Sequence, residues 1–287
     1  MTYIEQQLEN YKSDKIKPIS EYTGIYFRNH FSWAFSICEC IKATTLARKN
    51  NLTLFVNRSN KYLWKNFKIK DYSFFDYFDI NYHNVEYIDD PEAKVNESWL
   101  ESVRYPFIVI PFDILTSQYG DILSLKDTFK SIQNYYETLK EYNIQERIGL
   151  PLRLTKPYSG FTNEQQDQRE TSLSTILEFK KKYPNSSTKI LVANDDPELY
   201  TKWGYDILLK NQYDDILVLS DIHNTTKDNN INDDITSSNR EDNLKVAYVM
   251  GKCKEYFTMY EANENESGSF TALVIPYLQF LESKFRY

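Results

Sequence analysis

Short apolar runs alternate with longer amphipathic segments through the carboxyl half of the chain. The apolar runs are Ile148–Leu154, Lys189–Asn194 and Asp215–Ser220, and the helical segments are Glu164–Tyr183, Glu241–Gly251 and Phe270–Leu281. Parallel strands that are buried on both faces are continuous apolar runs, and helices connect one strand to the next. The pattern therefore predicts an α/β fold in which the carboxyl half is a doubly wound parallel sheet.

The amino half has a less regular pattern. It predicts a long helix over Asn29–Asn50, strands over Leu52–Val56, Val85–Ile88 and Phe107–Ile110, and helices over Pro91–Val103 and Leu125–Tyr142. These elements indicate a second α/β domain. We place the boundary near residue 145, which gives an amino-terminal domain of residues 1–145 and a carboxyl-terminal domain of residues 146–287.

One polar, acidic segment, residues 223–239, has no hydrophobic period. Long loops inside a compact domain are usually either functional or disordered. This segment follows a predicted parallel strand, and open α/β sheets bind ligands at the carboxyl ends of their strands. A ligand-binding loop and a disordered insertion both fit the sequence.

Composition and charge exclude several classes of protein. Aromatic residues make up 16% of the 287 residues, which argues against wholesale disorder. The net charge of −7 argues against a nucleic-acid-binding protein, which needs a basic face. Three cysteines make no disulfide framework, and the sequence has no apolar signal core and no membrane-spanning run. We therefore expect a soluble cytoplasmic protein, and the sequence does not indicate its oligomeric state.

Sequence motifs narrow the chemistry further. The chain has no GxGxxG fingerprint, Walker loop or GxSxG elbow, so dinucleotide dehydrogenases, P-loop enzymes and α/β-hydrolases are excluded. No histidines and cysteines have the spacing of a zinc site. Acidic pairs such as Asp233 and Asp234 fit a solvated loop better than a Mg²⁺ site, so we expect neither a metal nor a cofactor.

Arg153 is the first candidate for a binding residue, because it lies near the end of an apolar run. Its planar guanidinium can bind two oxygens of a diphosphate at once. The alternative is an arginine at a strand end that pairs with a surface carboxylate.

Two further segments precede predicted helices. Asp195 and Asp196 stand before Pro197, where an aspartate caps a helix or accepts hydrogen bonds from a ribose or a base. Ser267, Gly268, Ser269 and Phe270 begin the last predicted helix, whose free N–H groups suit an anion. An ordinary serine cap fits this second segment equally well.

Taken in order, these segments resemble motifs of the fucosyltransferase superfamily, which includes the α1,2- and α1,6-fucosyltransferases, the nodulation fucosyltransferase and the protein O-fucosyltransferases. IGLPLRL (148–154) resembles the family's IGxHxRR strand, and ILVANDDP (190–197) resembles its ATDDP segment. YVMGKCK (248–254) is similar to LMSxCK, and SGSF (267–270) is similar to the SSFS helix start. RNHFSWAF (28–35) is a fainter match to GNQLxQxAF.

The resemblance implies two Rossmann-like domains that face each other across a cleft, the arrangement called GT-B. It implies an inverting, metal-independent transfer of a sugar from a nucleotide sugar, GDP-fucose in this family, to a glycan hydroxyl. Arg153 corresponds to the diphosphate-binding arginine. Glu164 and Asp167 are our candidates for the base, and solvated carboxylates at the start of a helix are the alternative for both. The donor-binding candidates are Arg153, Lys156, Asp195, Asp196, Asp242, Ser267, Gly268, Ser269 and Phe270, and those on the acceptor side are Asn29 and His30.

The chain also departs from the family pattern. Pro151 replaces the family's histidine, Leu154 replaces its second arginine, and Lys156 replaces its usual aspartate. A catalytically silent relative that binds a nucleotide or a glycan, or acts as an interaction module, is therefore the alternative function. A third reading is an unrelated α/β regulator that binds a small phosphorylated ligand.

Overall fold

The computed structural model describes residues 1–9, 11, 16–28, 33–58, 74–90, 94–154, 162–194, 196–219, 238–258 and 273–284, with the backbone alone for 162–167 and 238–243. The chain forms two compact units. Unit 1 comprises Met1–Ile132, Asn230–Asn243 and Ala262–Tyr287. Unit 2 comprises Gln133–Asn229 and Leu244–Glu261.

The described residues form helices and mostly short strands. The helices are α1 (Tyr3–Glu9), α2 (Trp33–Asn50), α3 (Phe112–Tyr119), α4 (Lys130–Thr138), α5 (Thr162–Lys182), α6 (Pro197–Lys202), α7 (Tyr205–Lys210), α8 (Ser238–Gly251) and α9 (Ile275–Lys284). The strands are β1 (Gly24–Arg28), β2 (Thr53–Asn57), β3 (Phe78–Ile80), β4 (Val85–Ile88), β5 (Trp99–Glu101), β6 (Leu123–Leu125), β7 (Ile148–Leu152), β8 (Lys189–Asn194), β9 (Asp215–Val218) and β10 (Glu255–Tyr256).

Unit 1 is built on a parallel sheet of order β4-β2-β1-β5, beside a two-stranded antiparallel sheet of β3 and β6. Helix α2 connects β1 to β2, and most of its residues are buried, including the charged pair Glu39 and Lys42. A helix buried on nearly all sides needs apolar residues around its whole circumference. Ile37, Ile41 and Ala47 supply part of that surface.

Unit 2 contains a second parallel sheet, of order β10-β7-β8-β9. One face of β7 and β8 forms a hydrophobic core with α5, α6 and α7. On the other face, a Cβ atom added to Gly149 would lie 2.6 Å from Sδ of Met250 in α8, so this helix packs closely against the strand at the glycine. Helices therefore cover both faces of this sheet, and the predicted α/β fold with a parallel sheet in the carboxyl half is confirmed.

Several predicted elements differ from the structure. The predicted helix Pro91–Val103 is wrong, because its described part contains strand β5, which pairs with β1. The predicted strand Phe107–Ile110 is also wrong, since these residues form an irregular segment in which Ile108 and Ile110 are buried. Within Leu125–Tyr142, helix α4 is shorter than predicted, and Leu125 belongs to strand β6.

The two units divide the chain differently from the predicted domains. The division falls between Ile132 and Gln133 rather than near residue 145, and the last helix, α9, belongs to unit 1. Its Lys284 donates a hydrogen bond of 2.6 Å from Nζ to the carbonyl of Gly120, just after α3. Sequence order alone groups α9 with the preceding strands, whereas its contacts join it to α3 and β6. The acceptor and donor roles of the two predicted domains stay predictions.

The three cysteines give a first testable prediction about unfolding. Cys38 and Cys40 lie in α2 with at most 1% of their surface exposed, and burial raises the pKa of the Cys38 thiol to about 12. Burial also raises the pKa of the half-buried Cys253 to about 12. Because the thiolate is the reactive form, we expect iodoacetamide at pH 8 to leave the folded protein unmodified.

Intact-mass spectrometry measures this reaction directly. In urea the same reagent is expected to modify three thiols, one for each cysteine. Rapid modification of Cys38 or Cys40 without denaturant would contradict the prediction, because it would show that α2 opens readily.

Candidate functional site

The order of strands in unit 2 indicates where its sheet can bind a ligand. From β7 the sheet extends through β8 to β9, and the chain then returns to place β10 on the other side of β7. Open α/β sheets bind ligands outside the carboxyl ends of strands, at the point where the strand order reverses. This point lies between β7 and β10, so the residues that follow β7 are candidates for a binding site.

Arg153 immediately follows β7 and is exposed to solvent. Leu152 and Leu154 are buried in the core of unit 2, so the alternation of side chains places Arg153 on the opposite face. The Arg153 carbonyl accepts a hydrogen bond of 2.9 Å from the buried hydroxyl of Ser172 in α5, and another from the side chain of Gln168. Helix α5 thus fixes the backbone that carries this guanidinium, and the binding role of Arg153 stays a prediction.

Pro151 and Leu154, which replace two residues of the fucosyltransferase pattern, have roles in the fold. The carbonyl of Gly149 accepts a hydrogen bond of 2.7 Å from the backbone of Phe257, so Gly149 and Pro151 direct their backbone polar groups toward β10. β10 ends at Tyr256, opposite Gly149, so Pro151 lies beyond the paired residues and its missing N–H breaks no bond. Leu154 is 2% exposed and packs in the core.

Asp196 caps a helix, which is one of the two roles predicted for it. Its Oδ1 accepts hydrogen bonds from the backbone N–H groups of Glu198 at 3.0 Å and Leu199 at 2.9 Å. Pro197 occupies the first turn of α6, where backbone N–H groups have no acceptor within the helix, so the missing N–H of proline costs no hydrogen bond. The structure thus shows a structural role for Asp196, and its predicted contact with a ligand stays a prediction.

Asn194, the last residue of β8, is a candidate that the sequence analysis missed. Both polar atoms of its side chain are buried, and within the described part of the chain neither has a hydrogen-bond partner. It lies opposite Leu152 in the pairing with β7, next to the strand end that carries Arg153. In the sequence, Asn194 could have been identified as a polar residue at the end of an apolar run, at the carboxyl edge of the predicted sheet.

The remaining site candidates are not described in atomic detail. Lys156, Asp195, Asn29, His30 and the segment Ser267, Gly268, Ser269 and Phe270 lie outside the described residues. Glu164 and Asp167 lie on α5 and Asp242 lies on α8, with their side chains outside the description. Most of the segment 223–239 also lies outside it, so both readings of that segment remain open.

The parallel sheet of unit 1 has the same kind of reversal, between β1 and β5. Arg28 ends β1, and its Nη2 donates a hydrogen bond of 3.2 Å to the hydroxyl of Tyr26. The fully buried Asn57, at the end of β2, donates to that hydroxyl at 3.0 Å and to the carbonyl of Asp90 at 3.1 Å. The carboxyl edge of this sheet is therefore polar as well, and the predicted acceptor residues Asn29 and His30 follow Arg28 directly in sequence.

A bidentate ion pair lies beside this polar edge. Nε of Arg58 donates to Oδ1 of Asp89 at 2.7 Å, and Nη2 donates to Oδ2. The hydrogen bond to Arg58 holds the pKa of the Asp89 carboxyl below its ordinary value. The guanidinium also lies 5.0 Å from the ring centre of Tyr87, within the range of a cation–π contact. Arg58 is therefore held by its neighbours.

Two further observations concern possible metal and membrane binding. Among the residues that the structure describes, no group of three or more His, Cys, Asp or Glu side chains could hold a metal ion. In the same part of the chain, no helix has the length and apolar character needed to cross a membrane.

Comparison with known proteins gives similarities of structure but none of sequence. No protein-family model matches the chain, and no curated protein matches its sequence. Fucosyltransferase NodZ from Bradyrhizobium is similar over 91% of this chain and 92% of that chain, with a TM-score of 0.49 and 11% identity. NodZ alpha-1,6-fucosyltransferase soaked with GDP-fucose has a TM-score of 0.48 over the same shares, and the form co-crystallised with GDP has 0.46, both at 11% identity. At this identity, the similarity assigns no role to any residue of this chain.

Proposed function

We propose that this protein is a glycosyltransferase that binds a nucleotide sugar at the carboxyl edge of the sheet in unit 2. The position of Arg153 carries the proposal. It follows β7 at the reversal of strand order, is exposed, and has its backbone held by Ser172 of α5. A guanidinium in this place can bind a diphosphate through two oxygens.

The chemistry of the proposed reaction requires charge stabilisation and a base. The departing nucleoside diphosphate gains negative charge in the transition state, and Arg153 would stabilise it electrostatically. Lys156 and the N–H groups at Ser267–Ser269 are proposed to assist it. Glu164 or Asp167 would accept the proton of the acceptor hydroxyl. The hydroxyl oxygen would bond to the anomeric carbon as the bond to the nucleoside diphosphate breaks on the opposite face, and this single displacement inverts the configuration without a metal.

The motifs that resemble the fucosyltransferase superfamily support GDP-fucose as the proposed donor and a glycan hydroxyl as the proposed acceptor. Asn29 and His30, which follow Arg28 in the sequence, are the proposed acceptor-side residues. The GT-B arrangement that these motifs imply for the two predicted domains stays a prediction.

The packing of Leu154 favours a second candidate function. Leu154 occupies the position of the second arginine of the fucosyltransferase pattern, and its side chain is 2% exposed in the core of unit 2. The position directly after Arg153 therefore supplies no cationic side chain to a ligand. A relative that binds the nucleotide or a glycan without catalysing transfer fits this observation. Turnover separates the two candidates, because only a transferase releases GDP from GDP-fucose when an acceptor glycan is present.

Replacement of Arg153 tests nucleotide binding. We expect calorimetry to show that the wild-type protein binds GDP and GDP-fucose, and that Arg153→Ala weakens GDP binding at least about tenfold, since it removes a charged hydrogen-bond donor. Arg153→Lys should recover part of the affinity, because lysine keeps the charge but loses the planar fork.

Arg169→Ala is the matched control. Arg169 is an exposed arginine of α5 in the same unit, and its replacement should leave GDP binding unchanged. Equal affinities of Arg153→Ala and wild type would refute the proposed diphosphate site. Binding of UDP but not of GDP would support the proposed diphosphate site and would exclude GDP-fucose as the donor.

A further inference from the structure

Asn194 is a polar residue in an apolar row of β8. Ile190 and Val192, which precede it at alternate positions, are fully buried in the core of unit 2. Asn194 continues this row at the carboxyl end of the strand, opposite the buried Leu152. Strand geometry and packing at this position would therefore accept an apolar side chain.

The amide of Asn194 is costly in this place. Its nitrogen and oxygen are both buried, and neither has a hydrogen-bond partner among the residues that the structure describes. A buried polar group without a partner destabilises the folded state, and native proteins seldom keep one without a role. The residue as a whole is only partly buried, so this strand end reaches the surface of unit 2.

The position of β8 identifies the chemistry that suits this amide. β8 is next to β7, the strand at the reversal, and follows β7 along the chain. In Rossmann-type sheets, ligands lie outside the carboxyl ends of the strands, and an acidic side chain that follows the phosphate-binding turn hydrogen-bonds the ribose hydroxyls. An amide offers one acceptor and two donors, which matches a pair of neighbouring hydroxyls.

We propose that Asn194 binds the ribose hydroxyls of the nucleotide. This inference rests on the proposed function, because it requires a nucleotide at the carboxyl edge of unit 2. Asp196, the next described carboxylate along the chain, already caps α6 through Oδ1. Among the described residues at this strand end, the amide of Asn194, whose two polar atoms have no partner in the described chain, is therefore the group that binds the sugar.

The test combines a change in the ligand with a change in the residue. Calorimetry compares GDP with 2′-deoxy-GDP, for the wild-type protein and for Asn194→Leu. The wild-type protein is expected to prefer GDP about tenfold, and Asn194→Leu to bind GDP about tenfold more weakly and to bind both nucleotides equally. Without nucleotide, the melting temperature of Asn194→Leu should equal or exceed that of the wild type, because the variant removes an unpaired buried amide.

Two further variants keep the result interpretable. Asn194→Ala serves if leucine is too large for the site, and it should also lose the preference for GDP. Asn211→Leu, which replaces an exposed asparagine at the end of α7, should keep it.

The outcomes separate this inference from the proposed function. If the wild-type protein binds both nucleotides equally while Arg153→Ala weakens both, the ribose contact is wrong and the nucleotide site stands. If both Asn194 variants still prefer GDP over 2′-deoxy-GDP, the ribose contact is also wrong and the nucleotide site again stands. If the wild-type protein binds no nucleotide, the proposed function and the ribose contact are both refuted.

Discussion

Glu39→Ala is expected to lower the free energy of unfolding by roughly 3–5 kcal/mol, because it leaves a buried ammonium group without its partner. Nζ of Lys42 lies 2.6 Å from Oε1 of Glu39, and the two side chains are 0% and 1% exposed. Lys42 also donates a hydrogen bond of 3.0 Å to the carbonyl of Pro106. The pair thus joins α2 to the segment that follows β5, and urea unfolding monitored by circular dichroism measures its loss.

A matched control distinguishes burial from pairing. Glu178 and Lys181 in α5 form an ion pair with the same spacing, three residues apart, but their side chains are 53% and 79% exposed. Glu178→Ala should change the free energy of unfolding by no more than about 0.5 kcal/mol. Equal effects of the two glutamate replacements would show that the buried position of Glu39 does not matter.

The pKa shifts of this pair predict how its contribution changes with pH. Burial raises the pKa of Glu39 above its ordinary value of 4.5 and lowers that of Lys42 below 10.5. A carboxyl with a raised pKa holds its proton more tightly in the folded state, so stability decreases as the pH rises from 4.5 through the raised value. The double variant Glu39→Leu with Lys42→Met lacks both groups, and wild type should lose stability relative to it over that range.

The strands of unit 2 could be predicted from the sequence because their environment is uniform. Central parallel strands are buried on both faces, so they are continuous apolar runs, and the predicted bounds Lys189–Asn194 are those of β8. Strand β5 could not be predicted in this way. It contains only Trp99–Glu101, and its conformation depends on pairing with β1 and on contacts such as Trp99 with Phe55, whose ring centres are 4.0 Å apart.

The candidate site was predictable only in part, for a related reason. Arg153 is conspicuous because a charge stands beside an apolar run, and strand order then places it at the edge of the sheet. Asn194 ends a similar run, but only coordinates show that its amide is buried and has no partner in the described chain. Glu39 and Lys42 have the spacing of an exposed helical pair, so the sequence gives no indication of their burial.

Arg147 is the second residue whose loss should have a large effect, and it acts at the amino end of the sheet in unit 2. Its side chain is 10% exposed. Nε donates to the carbonyl of Tyr142 at 2.9 Å, and Nη1 donates to the carbonyl of Ile190 at 3.2 Å and to Oδ1 of Asp215 at 2.7 Å. One guanidinium therefore joins the starts of β7, β8 and β9.

Arg147→Met is expected to lower the free energy of unfolding by about 3 kcal/mol, because it leaves two carbonyls and a carboxylate without their charged donor. Arg169→Met, at an exposed position of α5, should change it by less than about 0.5 kcal/mol. The ligand site proposed for unit 2 lies at the carboxyl ends of the same strands, so Arg147→Met that is still folded should bind GDP as tightly as wild type. Weaker GDP binding by the folded variant would show that the two ends of the sheet are coupled.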